Sequence, residues 1–469
     1  MHTPLSLAGK RVTVMGLGLH GGAIGTVRWL AEQGARVTAT DLKGADELRA
    51  SVKKLRDLVG VEFVLGEHRD ADFREVDLVV RNPAVPRDSK YLQIAQAAGV
   101  PIEMDSSLFF AACPSRNIIG VTGSKGKTTC ARAITRLLKE AAGLKSVIEV
   151  GTDGISPLAE LKSITPKTTI VFELSSWRLE ALAERRISPP TAVVTSLYRD
   201  HLNTSSSFED YAQAKKAIML HQDSGGRLLL NTDDPKVAGW AGEAPGSVMW
   251  FSLRDLPEGD GIFVREGMIT IRAKEAEEVL FDLSSVHMPG DHARRNVLPG
   301  LLLASLAGAV PERLKYALEQ LPPLPHRLEA VRKLDGVIYI NDSAATMPDA
   351  TIAALKSLAG RRIVHILGGG DKALIFDELA GAEPAANIRT LIFLPGSATE
   401  KVKSALTAAY GDKPPIVYDA ETMSDAVAKA REVAEEGDIV LLSPAATSFG
   451  LFKHEFDRGD QFRKYVYAL

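Results

Sequence analysis

The chain has 469 residues, of which 45% are hydrophobic and 25% are charged, and its formal net charge is −3. This balance is typical of a globular protein of about three domains, and it excludes a protein that holds nucleic acid through a global positive field. Two cysteines, Cys113 and Cys130, are too few for a disulfide framework. The first residues do not resemble a signal peptide and no window approaches the roughly 18 apolar residues of a membrane span, so we expect a cytoplasmic protein.

The first third of the chain predicts a small, Rossmann-like α/β domain, which we place at residues 1–112. A β-like run at Arg11–Met15 leads through a glycine turn at residues 16–22 into a helical stretch, and a second β-like run, residues 35–41, ends in Asp41. Strand, turn, helix and strand in this order form a βαβ unit. Two more apolar runs follow and indicate further strands of the same sheet.

The glycine turn carries the pattern G-x-G-x-x-G, as Gly16, Gly18 and Gly21, about 20 residues before Asp41. This spacing is typical of the βαβ motif that binds a dinucleotide phosphate at a helix N-terminus. Because the pattern is weak by itself, an NAD-dependent oxidoreductase remains one open hypothesis.

The middle third predicts a second, larger α/β domain, at residues 113–321. A β-like run, Asn117–Val121, delivers the segment TGSKGKTT, residues 122–129, and helical sequence follows. Three further β-like runs recur before residue 232. A strand, a glycine-rich loop and a helix in this order are the context expected of an ATP-binding phosphate loop, so we expect a P-loop ATPase-like domain.

The segment at residues 122–129 suits a phosphate because its two glycines let successive backbone N–H groups point inward and the next helix adds its positive end. Lys127 supplies a mobile positive charge and Thr128 a hydroxyl for Mg²⁺. Val121 stands where the strict pattern has its first glycine, so a glycine-rich turn without a ligand is the alternative. The residues predicted to bind ATP phosphates are Gly123, Ser124, Lys125, Gly126, Lys127, Thr128 and Thr129.

The last third predicts a C-terminal Rossmann-like α/β domain, at residues 322–469. The proline-rich bend LPPLPHR, residues 321–327, marks its start. Four apolar runs beyond the bend alternate with helical stretches, which is typical of buried parallel strands.

Five segments in this order resemble the motifs of the Mur ligases. They are the phosphate loop, FELSSWRLE at residues 172–180, DHLNT with YAQAKK between residues 200 and 216, LPHRLE with YINDSAAT between residues 324 and 346, and SPAATSFGLFKHEFDRGDQF at residues 443–462. The resemblance spans nearly the whole chain, and the SSWRLE and C-terminal segments resemble the D-glutamate-adding branch of the family.

The resemblance implies a ligase that uses ATP and Mg²⁺, at two metal sites, to add D-glutamate to UDP-N-acetylmuramoyl-L-alanine through an acyl phosphate. The pathway would be the synthesis of peptidoglycan precursors, and the length without repeats favours a monomer. Two other hypotheses stay open. One is a Mur-type ligase with another acceptor such as L-glutamate, and the other is a non-catalytic protein that binds a UDP-sugar or a nucleotide.

The catalytic and metal-binding residues are carried over from matching positions. Glu173 ends a β-like run beside the phosphate loop, and a carboxylate there is a hard ligand suited to Mg²⁺. The resemblance implies this role for Glu173 and Thr128, and implies that His201 helps to hold the second Mg²⁺. It also implies that Lys215 carries a carbamate made from CO₂, since an ammonium would be repelled by the metal, and Lys216 is the alternative. The residues with implied catalytic roles are Lys127, His201 and Lys215.

The resemblance also implies the contacts to the nucleotide and to the two other substrates. Asn296 contacts the adenine, Asp342 the ribose, and Arg327 with His326 reaches the nucleotide when the last domain closes. A cation at Lys372 can pair with a carboxylate of glutamate, whereas a place in the core is an equal alternative for Phe449 and Phe456. The residues implied to bind the amino acid are Thr346, Lys372, Ser448, Phe449 and Phe456. The residues implied to bind the UDP substrate are Gly18, Leu19, His20, Asp41, Lys43, Asn82, Asp153 and Ser175.

Four positions depart from the family motifs. Ala293 stands for the first Asn of GxHNxxN, and Asp153 stands for the Asn of GGNIG, where a carboxylate near an anionic substrate weakens binding. In DSAATM, Ala344 and Met347 stand for the Lys and the Asn of the family's DSKATN. Either another cation such as Lys125 compensates for the missing lysine, or the chain belongs to a divergent branch.

Overall fold

The structure, a computed structural model, describes residues 6–18, 22–83, 85–152, 155–198, 207–286, 288, 290–321, 324–411 and 414–469. The chain divides into two compact units. The first is formed by residues 1–286 with 295–320 and contains two sheets, and the second is formed by residues 287–294 with 321–469 and contains one. The three sheets, with helices between their strands, confirm the predicted α/β fold class.

The first sheet is parallel throughout. Its strands are β1 (Arg11–Met15), β2 (Arg36–Asp41), β3 (Val61–Leu65), β4 (Leu78–Arg81) and β5 (Ile102–Glu103). Its helices are α1 (Gly22–Glu32), α2 (Arg49–Lys53), α3 (Ala71–Arg74), α4 (Lys90–Ala97) and α5 (Asp105–Ala112). The strand order is β3-β2-β1-β4-β5. The chain adds β2 and β3 on one side of β1 and then β4 and β5 on the other side, so the topological switch point lies between β1 and β4. Ligands of open α/β sheets bind beyond the strand ends at such a point.

The second sheet, also in the first unit, is larger. Its strands are β6 (Ile118–Thr122), β7 (Val147–Val150), β8 (Thr169–Glu173), β9 (Thr191–Val194), β10 (Arg227–Asn231), β11 (Ser247–Phe251), β12 (Gly261–Arg265), β13 (Met268–Ala273) and β14 (Ala276–Asp282). The α-helices are α6 (Lys127–Glu140), α7 (Ser176–Glu184), α8 (Phe208–Lys216), α9 (Pro235–Ala238), α10 (Asp291–Leu306) and α11 (Pro311–Glu319), and 3₁₀ turns cover Pro157–Ser163, Ala241–Glu243 and Leu283–Ser285. The order β14-β13-β12-β11-β10-β9-β6-β8-β7 places β6 between β9 and β8.

The third sheet forms the second unit. Its strands are β15 (Glu329–Leu334), β16 (Val337–Asn341), β17 (Ile363–Leu367), β18 (Ile388–Phe393), β19 (Ile416–Asp419) and β20 (Ile439–Leu442). Its helices are α12 (Pro348–Ser357), α13 (Asp377–Ala382), α14 (Thr399–Tyr410), α15 (Met423–Val433) and α16 (Glu455–Ala468), with a 3₁₀ turn at Glu383–Ala386. The order is β15-β16-β20-β17-β18-β19, and every pair except β15 with β16 is parallel.

The central strands of the second and third sheets are apolar on both faces. All five residues of β6 and of β17 are buried. Along β17, Ile363 and Leu367 belong to one hydrophobic cluster, and Val364 and Ile366 belong to the cluster on the opposite face. Burial on both faces explains why these strands read as continuous apolar runs. Among the helices of the described residues, none is both long and apolar enough to span a membrane.

A buried ion pair lies on one face of the third sheet. His365, in the middle of β17, has its Nδ1 2.7 Å from Oε1 of Glu383 and its Nε2 2.8 Å from the carbonyl oxygen of Ser443. Burial lowers the pKa of His365, but the attraction and the hydrogen bond of Glu383 raise it above its ordinary value. The imidazolium then donates a hydrogen bond from each ring nitrogen.

We expect the substitution Glu383→Gln to destabilise the second unit, because it leaves the buried imidazolium without its counter-ion. A loss of about 3 kcal/mol would make hydrogen exchange in peptides of β17 and β18 about 100-fold faster. Glu432→Gln is the matched control, since it removes one partner of the exposed pair with Lys429, and it should change these rates less than about threefold. Equal exchange rates in the two variants would contradict the prediction.

Candidate active site

The phosphate loop lies at the carboxyl end of β6, between the ends of two neighbouring strands. Val121 pairs with Glu173 at the end of β8, and Thr122 pairs with Val194 at the end of β9. α6 begins at Lys127. The N–H groups of its first turn and the positive end of its dipole therefore lie at the loop, as the strand–loop–helix pattern predicts.

Two glycines of the loop are required by close contacts. A Cβ at Gly123 would lie 2.0 Å from Oγ1 of Thr195, and a Cβ at Gly126 would lie 2.3 Å from Nδ2 of Asn296. Both glycines also have a positive φ, of 151° and 86°, which side-chain-bearing residues rarely adopt. Asn296, the predicted adenine contact, therefore packs directly against the loop.

The turn after β9 fastens the loop backbone. The carbonyl oxygen of Ser196 accepts from the N–H of Ser124 over 2.8 Å, and its hydroxyl accepts from the N–H of Lys125 over 3.0 Å. The hydroxyls of Thr195 and Ser196 donate to the carbonyl oxygen of Lys125 over 2.6 and 3.0 Å. No motif predicts Thr195 or Ser196, and their only signal in the sequence is their place at the end of a β-like run.

Two lysine side chains converge on one carbonyl oxygen of the loop. Nζ of Lys127 and Nζ of Lys215 each lie 3.0 Å from the carbonyl oxygen of Gly123. Lys215 is 1% exposed, whereas Lys216 pairs with Glu243. The structure therefore brings Lys215, rather than Lys216, to the phosphate loop, beside Lys127.

A hydroxyl and a carboxylate meet beside the loop. Oγ1 of Thr128 donates to Oε2 of Glu173 over 2.8 Å. Oxygens of these kinds are the ligands that Mg²⁺ prefers, and the ion usually keeps several waters, so the pair fits one metal position. Within the described ranges, no group of three or more His, Cys, Asp and Glu side chains is arranged so that it could hold a metal ion. His201, the predicted ligand of a second ion, falls in residues 199–206, outside those ranges.

A buried arginine ties the segment after β7 to α5. Arg178 donates to the two carboxylate oxygens of Asp105 over 2.7 and 3.2 Å, and to the carbonyl oxygen of Gly151 over 2.7 Å. Ser175, predicted to contact the UDP substrate, caps α7 by accepting from the N–H of Arg178 over 3.3 Å. Arg178 lies inside the SSWRLE segment, but neither it nor Asp105 is predicted as a site residue.

Four of the predicted UDP-binding residues, Gly18, Asp41, Lys43 and Asn82, lie at the carboxyl edge of the first sheet. Asp41 accepts from the N–H of Gly18 on Oδ2 and from the N–H of Lys43 on Oδ1, over 2.9 Å in both cases. Nδ2 of Asn82 donates to the carbonyl oxygen of Gly16 over 3.0 Å. Asp41 and Asn82 thereby hold Gly18 and Gly16, at the start of the glycine turn. Outside the described residues lie Leu19, His20 and Asp153.

Asp342 lies buried directly after β16. Oγ of Ser443 donates to its Oδ2 over 2.8 Å, and the N–H of Leu328 donates to its Oδ1 over 3.1 Å. Burial raises the pKa of Asp342 to about 7, although these hydrogen bonds lower it. The predicted ribose contact is therefore a carboxyl group that titrates close to neutral pH.

Two loops of the second unit pair at the carboxyl edge of the third sheet. Gly370 and Thr447 exchange backbone hydrogen bonds of 2.8 and 3.0 Å. This pairing brings the segment with Lys372 next to the segment with Ser448, two of the residues predicted to bind the amino acid. Phe449, the next residue, is 66% exposed and does not belong to the core.

A buried cation lies beneath the loop that departs from the family motif. Arg458 donates to the carbonyl oxygen and the hydroxyl of Ser343 over 2.9 and 3.0 Å, and to the carbonyl oxygen of Ala446 over 3.1 Å. Burial lowers the pKa of Arg458 to about 10, which still leaves it charged at neutral pH. This cation underlies the loop that carries Ala344 and Thr346. The only signal for it in the sequence is the RGDQF segment.

The predicted nucleotide contacts at the start of the second unit differ in exposure. Nδ1 of His326 lies 3.0 Å from Nδ2 of Asn341, and a Cβ at Gly459 would lie 2.1 Å from the same ring nitrogen. The His326 ring is therefore wedged inside the unit, whereas Arg327 is exposed. Phe456, whose ring centroid lies 5.6 Å from that of His326, is 37% exposed and is not core either.

Comparison with known proteins identifies the family. Residues 10–103 match the MurD-like N-terminal domain of Mur ligases, residues 121–304 the Mur ligase middle domain, and residues 326–446 the Mur ligase glutamate ligase domain. A UDP-N-acetylmuramoylalanine–D-glutamate ligase of Roseiflexus sp. (strain RS-1) is 42% identical over 475 residues, which cover 98% of this chain and 99% of that protein. The chain belongs to the Mur ligase family, in its UDP-N-acetylmuramoylalanine–D-glutamate ligase branch.

Further relatives agree with this assignment to the Mur ligases. The protein of the same name from Symbiobacterium thermophilum is 37% identical and covers 98% of each chain. Among solved structures, UDP-N-acetylmuramate-alanine ligase MurC of Thermotoga maritima matches 98% of this chain and 99% of its own, with a TM-score of 0.60 at 19% identity. MurF ligase of the same organism, in complex with ADP, matches 99% and 100%, with a TM-score of 0.59 at 14% identity. These two likenesses show the Mur ligase fold, and family membership implies the use of ATP.

We expect the Asp342 carboxyl group to make the second unit less stable as the pH rises from about 4 to about 7. In this window the folded chain keeps the proton that the unfolded chain has lost, and outside it the two states carry the same charge. Asp342→Asn removes the titration. Relative to the wild type, its thermal midpoint in scanning calorimetry should rise by about 5 °C between about pH 5.5 and about pH 8. Parallel curves for the two proteins would contradict the raised pKa.

Proposed function

We propose that the chain catalyses the ATP-dependent addition of D-glutamate to UDP-N-acetylmuramoyl-L-alanine, in the synthesis of peptidoglycan precursors. The observation that carries the proposal is the convergence of Lys127, Lys215 and the Thr128–Glu173 pair on the phosphate loop. This convergence occurs in a chain that matches D-glutamate ligases over nearly its whole length.

The proposed reaction has two steps. An oxygen of the substrate carboxylate attacks the γ-phosphorus of ATP, and the bond from that phosphorus to the bridging oxygen breaks. The products of this step are ADP, which is the leaving group, and an acyl phosphate. The nitrogen of the neutral D-glutamate amine then attacks the acyl carbon, phosphate departs, and the new amide nitrogen loses a proton. Because negative charge lies on phosphoryl oxygens in both steps, fixed cations and backbone N–H groups supply most of the stabilisation.

In this proposal the phosphate loop, Gly123–Thr129, binds the ATP phosphates, and the ammonium group of Lys127 stabilises the negative charge that develops on the leaving-group oxygens. Asn296 contacts the adenine, and Asp342 with Arg327 contacts the rest of the nucleotide. The packing of Asn296 against Gly126 supports the assignment of Asn296, because this contact places Asn296 beside the loop that would hold the phosphates.

Two Mg²⁺ ions are part of the proposal. Thr128 and Glu173 would hold one, and His201 with a carbamylated Lys215 would help to hold the second. Mg²⁺ supplies neutralisation of the phosphate charge when it is bound. The carbamate forms when the Lys215 nitrogen bonds to the carbon of CO₂ and loses a proton, which turns a buried amine into an anion. The burial of Lys215 at the loop supports this assignment, because a helix lysine without a role in the site would extend into solvent.

The remaining substrates are assigned to the edges of the other two sheets. The glycine turn with Gly18, Asp41, Lys43 and Asn82 would bind the UDP group, together with Leu19, His20, Asp153 and Ser175. Helix and turn N–H groups in such a crevice suit a diphosphate. The amino acid would bind at the paired loops of the second unit, with Lys372 on a carboxylate. The residues proposed to line that site are Thr346, Lys372, Ser448, Phe449 and Phe456.

We also propose the domain boundaries 1–112, 113–321 and 322–469, a cytoplasmic location and a monomeric state. The boundaries are supported by the three sheets, which fall one in each range. The location is supported by the two buried free cysteines, Cys113 and Cys130, which suit a reducing compartment.

We expect the purified protein, with ATP, Mg²⁺ and UDP-N-acetylmuramoyl-L-alanine, to release phosphate at least about tenfold faster with D-glutamate than with L-glutamate. A site that pairs both carboxylates and the amine of one enantiomer leaves polar groups unpaired with the other. A preference for L-glutamate would reassign the acceptor. Release with neither enantiomer, in a protein that still binds the UDP substrate, would favour the non-catalytic hypothesis.

The substitution Lys127→Ala separates a ligase from a binding protein. It should lower phosphate release at least about 100-fold, because the charged phosphoryl oxygens lose the ammonium group of Lys127 that stabilises them. Binding of UDP-N-acetylmuramoyl-L-alanine, measured by isothermal titration calorimetry, should stay within about twofold of the wild type, since that substrate is assigned to the first sheet. Unchanged phosphate release would contradict the role of the phosphate loop.

We expect Lys215→Arg to abolish the carbamate, because a guanidinium does not react with CO₂. Protein equilibrated with ¹³C-bicarbonate should give a carbamate signal in the ¹³C NMR spectrum of the wild type and of Lys216→Arg, but not of Lys215→Arg. Lys216→Arg is the matched control, since its pair with Glu243 can persist. The kcat should fall at least about 100-fold in Lys215→Arg and less than about twofold in the control. A carbamate signal in Lys215→Arg would move the modification elsewhere.

A further inference from the structure

We infer that Tyr211 is a positioning residue that sets the Lys215 side chain and the phosphate loop relative to each other, an inference that rests on the function proposed above. Tyr211 and Lys215 lie four residues apart on α8 and therefore share one face of the helix. Each is 1% exposed. This face of α8 is the one that meets the loop.

Two residues one helical turn apart on α8 contact two consecutive residues of the loop. Oη of Tyr211 donates to Oγ of Ser124 over 3.1 Å, and Nζ of Lys215 donates to the carbonyl oxygen of Gly123 over 3.0 Å. Nζ of Lys215 also lies 4.6 Å from the centroid of the Tyr211 ring, within the range of a cation–π contact. The ring of Tyr211 thus confines the lysine, and its hydroxyl confines the loop.

The hydroxyl of Ser124 extends this contact to a third segment. It accepts from the N–H of Tyr198 over 2.9 Å and donates to the carbonyl oxygen of Tyr198 over 3.2 Å. With the bond from Tyr211, the hydroxyl uses its one donor and both of its acceptor positions. Tyr198 is the last described residue before the segment that contains His201. The phenol of Tyr211 therefore completes a junction between the phosphate loop, α8 and the chain that leads to His201.

Removal of the Tyr211 hydroxyl should first weaken the binding of the nucleotide. Tyr211→Phe keeps the ring over Lys215 but leaves one buried acceptor position of Ser124 unfilled. We expect the Kd for ADP with Mg²⁺, measured by isothermal titration calorimetry on the full chain, to rise about fivefold, the size of effect typical of one buried hydrogen bond. The carbamate signal of Lys215 should be unchanged, because the ring remains.

The coupling between Tyr211 and Ser124 distinguishes positioning from a general loss of packing. If both residues act through the one hydrogen bond, the double variant Tyr211→Phe with Ser124→Ala should bind ADP no more weakly than Ser124→Ala alone. Tyr211→Leu removes the ring as well and should lower kcat about tenfold below that of Tyr211→Phe, since the Lys215 side chain is no longer held in one position. Thermal midpoints, compared with the wild type, check that each variant folds.

Tyr91→Phe is the matched control, because Tyr91 is a partly buried tyrosine of the same unit that packs on His68 and Phe73. Its Kd for ADP should equal that of the wild type. Wild-type affinity in Tyr211→Phe, or additive losses in the double variant, would overturn the inference. Absence of phosphate release by the wild type with D-glutamate would instead contradict the proposed function, and the ADP measurements would still decide the role of Tyr211.

Discussion

The close approach between the phosphate loop and the turn after β9 is the constraint on which the rest of the candidate active site depends. Thr195 occupies the space that a Cβ of Gly123 would need, and Ser196 holds the loop by its backbone and its hydroxyl. These contacts restrain the loop backbone, and the carbonyl oxygen of Gly123 accepts hydrogen bonds from Nζ of Lys127 and Nζ of Lys215. A preorganised cation at Lys127 and the N–H groups of the loop stabilise phosphoryl charge without a further cost of ordering.

Within each unit, buried charges restrain loops that carry residues proposed to bind substrates. Arg178 holds the carbonyl oxygen of Gly151, and Arg458 holds the loop that begins at Ser343. His365 contacts the carbonyl oxygen of Ser443, whose hydroxyl donates to the carboxylate of Asp342. A charge in a medium of low dielectric is tolerated only where its partners are fixed, so each of these ions also restrains the loop above it. The scaffold and the candidate site are for this reason stabilised by the same contacts.

The sequence predicts the central strands better than the edge strands. The apolar runs at residues 117–121 and 362–367 correspond to β6 and β17, which are buried on both faces. The sequence does not predict β14, whose first four residues are exposed, or β19, a short edge strand with little burial. Edge strands face water, so they lack the continuous apolar run that marks a buried strand.

By itself the sequence determined the phosphate loop, the order of the α/β domains and the family, because a strand, a glycine-rich loop and a helix follow one another within a few residues and leave a local pattern. Only the tertiary structure decided that Lys215 rather than Lys216 meets the loop, that Tyr211 reaches Ser124, and that Asp342 is buried. The contacts of Lys215 and Tyr211 with the loop span 92 and 87 residues of the chain. Such pairs are set by the packing of helices on sheets, and no spacing along the sequence records them.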